Sequence, residues 1–146
     1  MADWREYLSL MDALGKTMEE LTELERNKTI AVGRSDLDGL EECMKREQVV
    51  SLSLRGMDQK RDKMLAELGL TGVRLRDLAG HAPEGLEDET KRAVEKLRGQ
   101  YELFQSASQV ARNTLECNLH AIEKLQKAKE MQPEDQPALR QSDFRA

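Results

Sequence analysis

From residue 84 to residue 132 the chain has no proline, and Val94, Leu97, Tyr101, Phe104, Ala107, Ala111, Leu115, Leu119, Ile122 and Leu125 recur there every three or four positions. That spacing gathers apolar side chains on one side of a helix. Only Gly99 interrupts the good helix formers, so the pattern predicts one helix of up to about 48 residues, near 70 Å at the usual rise. Pro133 and Pro137 stop it, and "MQPEDQPALRQSDFRA" reads as a polar tail over residues 133–146. A helix this long needs partners along its whole apolar side, and the rest of the chain has to supply them.

Two further stripes precede it. The first runs Trp4, Tyr7, Met11, Leu14, Met18, Leu21, Leu24; Asp3 can cap it, and Glu6 sits three residues on. The second runs Leu37, Leu40, Met44, Val50, Leu54, Met57, Leu65, Leu68, with Ser35 as the expected cap and Gly69 as the expected stop. Gly33 is expected to end the first helix in the left-handed conformation. A turn of a few residues makes the two helices antiparallel neighbours. In "GLTGVRLRDLAGHAPEG", Thr71 is expected to cap a short helix carrying Val73, Leu75 and Leu78 and ended by Gly80. The expected fold is all-α: an elongated antiparallel hairpin, a short connector helix and a longer third helix. These form a single helical-bundle domain over residues 1–132.

Composition agrees. Ala, Glu, Lys, Leu and Arg make up about half of the 146 residues, a bias of long helices and coiled coils. With 28 acidic and 23 basic residues mixed along the chain, no basic block interleaved with aromatics points to nucleic acid. No apolar run approaches the ~20 residues that span a bilayer, so membrane insertion is not expected. Cys43 and Cys117 form no pairing framework, which suits a cytoplasmic location.

Glu25, Lys28, Glu47 and Arg61 fall where the spacing asks for apolar side chains. Either they snorkel out of a narrow seam, or they fix its register as polar positions do in coiled coils. The inventory offers no catalytic constellation. His81 and His120 are isolated, the glycines lack a phosphate-loop ending, and the pairing of Glu116 with His120 is not repeated on a second helix. No enzyme activity, metal or cofactor is expected. The cysteines read as half-buried small apolar groups, and Met11, Met18, Met44, Met57 and Met64 as core filler.

Helix 3 outlasts the hairpin. Helix 2 measures about 33 residues, near 50 Å, so partners for helix 3 run out near residue 120. Leu119, Ile122 and Leu125 then present an uncovered apolar face, the usual mark of a partner site.

The order of segments resembles a known family. "ALGKTMEELTELERNKTIAVGRSDLDGLEECMKREQVVSLSLRGMDQKRDKML" is similar to the first two helices of FlgN-like flagellar export chaperones, through Leu21, Glu25, Lys28, Asp36, Leu37, Leu40, Lys45 and Arg61. "GLTGVRLRDL" resembles the family's link, and "ARNTLECNLHAIEKL" its late-helix pattern, through Asn113, Leu115, Leu119 and Ile122. Thr114 stands where the family often has the first of two leucines. The resemblance implies a cytoplasmic chaperone of the flagellar type III export system. Such a chaperone holds the C-terminal amphipathic segment of hook-associated (hook–filament junction) proteins, prevents premature assembly and delivers them for export. It places client binding on Ala111, Asn113, Leu115, Leu119, Ile122 and Leu125. Export-gate or ATPase components are further partners it implies, with Phe144 as the gate contact. Self-association is expected to go no further than a weak homodimer that a client displaces. The alternative from the residues alone is a structural coiled-coil scaffold that self-associates through the same stripe.

Overall fold

The computed structural model describes residues 3–119 together with Glu123 and Lys127. Helix α1 spans Trp4–Gly33, α2 spans Leu37–Glu67 and α3 spans Glu87–Cys117, with a 3₁₀ helix at Leu75–His81 between the last two. Among the described residues there is no strand. The all-α bundle expected from the three stripes is the one observed.

The ends of the helices follow local chemistry. At the start of α1, Asp3 accepts the Glu6 N–H at 2.8 Å, so the expected cap forms. The hairpin turn differs by one residue from the expectation. Gly33 is the last residue of α1, and Ser35 takes the positive φ of 56°. Asp36, not Ser35, caps α2 by accepting the Gly39 N–H at 2.9 Å. A carboxylate next to the first N–H groups is the better acceptor, which frees Ser35 to make the turn. Gly69 stops α2 as expected, with φ 75° and the Leu70 N–H returning to Leu65 O at 2.8 Å. Thr71 caps nothing: the connector winds as a 3₁₀ helix after Arg74, with no side-chain cap. Glu87, Asp88 and Glu89 lie in the first turn of α3, where the helix dipole favours negative charge.

Helix α1 packs against both α2 and α3. Trp4 lies beside Thr90, Asp12 beside Lys96 and Glu19 beside Gln100, so α1 and α3 run in the same direction. The start of α1, the end of α2 and the start of α3 therefore share one end of the bundle. Leu75 and Leu78 of the 3₁₀ helix are buried there with Met64 and Leu65. Tyr7, Leu14, Met18, Leu21, Leu54, Leu97 and Phe104 are almost wholly enclosed, each contributing roughly 1.5–3 kcal/mol by leaving water. At Gly15 an added Cβ would meet the end of the Gln100 side chain, which would have to move aside. Met11, Met18 and Met64 are buried filler as expected, while Met44 and Met57 are half-buried. The helix runs without a break through Gly99.

The third helix differs in extent from the expectation. It is regular for 31 residues, to Cys117, and Asn118 caps it with its N–H on Thr114 O and Leu115 O. Leu119, Glu123 and Lys127 are again helical; the rest of the expected span, and the tail, lie outside the described residues.

Candidate functional site

Because α1 and α3 are parallel, α3 reaches its end beside the hairpin tip. There Leu115 packs against a small cluster of Ala31, Val32, Leu37 and Leu40, with Met44 at its edge. One turn further on, Leu119 is 56% exposed. The apolar stripe thus outlasts its support at the place where the hairpin turns. Ala111 is buried at 1% and belongs to the bundle packing, whereas Asn113 is exposed and accepts from the Gln109 amide at 2.9 Å. Ile122, Leu125 and Phe144 fall outside the described residues. The structure therefore brings Leu115 and Leu119 to one end of the bundle and sets Ala111 apart as core.

A second apolar feature was not foreseen from the stripe. On the outer side of the α1–α3 junction, Ile30, Leu103, Ala107 and Val110 line an open groove of about 490 Å³ with Arg26, Thr29 and Ser106 on its walls. Ile30, Leu103 and Val110 are each about half exposed. Leu103 and Val110 lie seven apart, a helical repeat of their own beside the main stripe. That repeat was the signal available in the sequence.

The seam between α1 and α2 holds a buried charge layer. Lys28 Nζ lies 3.0 Å from both Glu25 Oε1 and Glu47 Oε1, and all three residues are less than a tenth exposed. They do not snorkel. At mid-seam the neighbouring helix blocks the route to water, so the long side chains turn toward each other. Arg61, by contrast, is half-buried and pairs with Asp58 at 3.2 Å. Two carboxylates facing one ammonium leave an unbalanced charge if both are ionised. Burial, and then the adjacent Glu25, push Glu47 up to about 8, against the pull of Lys28. Glu47 therefore takes up its proton at a higher pH than an ordinary carboxyl does. Burial likewise raises the Cys43 thiol, with Glu47 adding to it. Cys43 is half-buried as expected, but Cys117 is exposed on the last turn of α3, because it faces away from the hairpin.

His81 is exposed in the connector, and among the described residues no group of His, Cys, Asp or Glu is placed to hold a metal ion. Nor, among them, is any helix long and apolar enough to cross a membrane. The fold is an all-α bundle whose third helix carries its apolar stripe from the packed Leu115 to the exposed Leu119. The sequence matches the family described as FlgN protein over residues 1–140; the chain belongs to that family, the FlgN-like flagellar export chaperones. No individually curated protein and no solved structure matches it.

Proposed function

We propose that this protein is a cytoplasmic escort for hook-associated proteins of the flagellum. It holds their C-terminal amphipathic segment until export through the type III apparatus. The observation that carries this reading is the exposure of Leu119 directly beyond Leu115, the α3 residue packed on the hairpin tip. An amphipathic client helix laid along Leu119, Ile122 and Leu125 would complete the apolar face that the bundle leaves open. The same face on the free client promotes assembly, so covering it delays polymerisation. An interface of this size gives modest affinity and release on a working timescale. Export-gate or ATPase components would receive the loaded chaperone.

Co-purification from a flagellated bacterium tests the proposal. A hook-associated protein should travel with the wild-type chain and be lost with Leu119→Asp. Recovery of the same client at the same yield with that variant would place the binding face elsewhere. Light scattering separates the escort from a self-associating scaffold. The escort is a monomer, or a weak dimer that the client displaces, whereas a scaffold forms a dimer that dilution and client both leave intact.

A further inference from the structure

The apolar interior is not continuous from end to end. Trp4 to Leu21 of α1 and Val50 to Leu65 of α2 contribute to a main core that takes in Leu97 and Phe104. Ala31, Val32, Leu37 and Leu40 make a separate cluster at the hairpin tip. Between the two, α1 supplies Thr22, Glu25 and Lys28 and α2 supplies Glu47. Helix α3 passes with Ser108 and Ala111, between Phe104 in the main core and Leu115 on the tip. All six are less than a tenth exposed. The molecule is therefore cut across by a buried layer of charged, hydroxyl and small side chains.

Such a layer holds the two halves together differently from apolar packing. When an apolar layer opens, its surface meets water at a cost. When this one opens, three ionisable groups regain the hydration that burial denied them, which offsets much of the lost ion pairing. Lys28 Nζ, 3.0 Å from one oxygen of each carboxyl, is the layer's main polar tie, and Glu47 Oε2 has no hydrogen-bond partner. Thr22 donates back to Met18 O at 2.9 Å and Thr29 to Glu25 O at 3.2 Å, bonds that compete with the helix ladder and favour bending.

We propose that the Glu25–Lys28–Glu47 layer is a parting line, at which the hairpin tip (residues 29–46) opens as a unit of its own while the main core stays folded. Opening the tip uncovers Leu115, the residue next along the stripe from the exposed Leu119. The consequence for client binding, a longer apolar face, rests on the proposed function. The opening itself does not.

Native-state amide exchange in low urea, on the full chain without client, reads the opening alone. The Val32, Leu40 and Met44 amides should exchange through an opening about tenfold or more commoner than the one exposing Leu14, Leu54 and Leu97, with a shallower urea dependence. Exchange of both sets along one common isotherm would overturn the proposal. The triple replacement Glu25→Leu, Lys28→Met, Glu47→Leu, which joins the two cores, should bring the tip amides to within about threefold of the core amides. A gap that persists in that variant would equally overturn it, since the layer would then not be its cause. Should the variant fail to fold, the wild-type exchange pattern decides by itself.

Discussion

Lys28 and Glu47 meet across the α1–α2 seam with Nζ and Oε1 3.0 Å apart, at a level where neither side chain reaches water. A pair buried to this degree stabilises little relative to well-packed apolar groups, but it is costly to break from one side. It also opposes sliding of the two helices, since a shift of one turn would set the ammonium against Met44 or Val50 in place of Glu47.

The asymmetry is measurable by urea unfolding. Lys28→Met leaves Glu25 and Glu47 facing each other without a cation and should cost about 3–5 kcal/mol. Changing all three residues to apolar ones should cost almost nothing or add stability. A single replacement as mild as the triple one would contradict the buried geometry.

Stability should also fall as pH rises, and the sign is fixed by where the proton is held. Glu47 sits at about 8 in the folded chain against its ordinary 4.5, so the folded state binds this proton more tightly than the unfolded state. The contribution is full below about pH 4.5, declines as pH rises toward 8 and then levels off. Its slope is at most about 1.4 kcal/mol per pH unit. The unfolding midpoint should therefore be lower at pH 8.5 than at pH 6, and Glu47→Gln should flatten that difference. An equally steep decline in Glu47→Gln would assign the proton to another group.

At the other end of the bundle, Trp4 Nε1 donates to Thr90 Oγ1 at 2.8 Å, and that hydroxyl donates in turn to Leu86 O at 2.7 Å. Thr90→Val keeps the shape and removes both bonds. Leaving the indole N–H buried without a partner should cost about 1–3 kcal/mol. Trp4 is the only tryptophan, so its fluorescence follows the change directly. Unchanged unfolding and emission would show that the bond does not form.

Much of this architecture was legible in the sequence because period and punctuation are local. Val94, Leu97 and Phe104 are buried as the stripe requires, and Asp3 starts α1 and Gly69 stops α2 as residue chemistry demands. What escaped was set by neighbours in space. At the α3 turn beyond Phe104 the bundle encloses Ser108, and Ala107 is only half-buried: the stripe takes a step of four and then of three to Ala111, a choice that the spacing rule leaves open. Whether Glu25, Lys28 and Glu47 reach solvent depends on the helix across the seam, which spacing alone does not reveal. The open end was partly legible: relative helix lengths placed the end of support near residue 120, and it falls a little earlier, between the packed Leu115 and the exposed Leu119. The outer groove was missed because Ile30 and Leu103 become neighbours only once α1 and α3 pack in parallel.

The glycines give a paired test of that packing. Gly56 has open space around its missing Cβ, whereas a side chain at Gly15 would run into Gln100. Gly56→Ala should raise stability by about 0.5–1 kcal/mol through helix propensity. Gly15→Leu should lower it by about 1–3 kcal/mol through overpacking. Thermal unfolding of the two variants reads both, and a tolerated Gly15→Leu would show that the Gln100 side chain gives way without loss.

The account as a whole turns on the proposal that a client helix docks from Leu119 onward. Calorimetric titration of this chain with the C-terminal segment of a hook-associated protein tests it most directly. Binding near about 1 μM, weakened at least tenfold by Leu119→Asp and by Ile122→Asp, is the predicted result. Binding of full strength in both variants would contradict it.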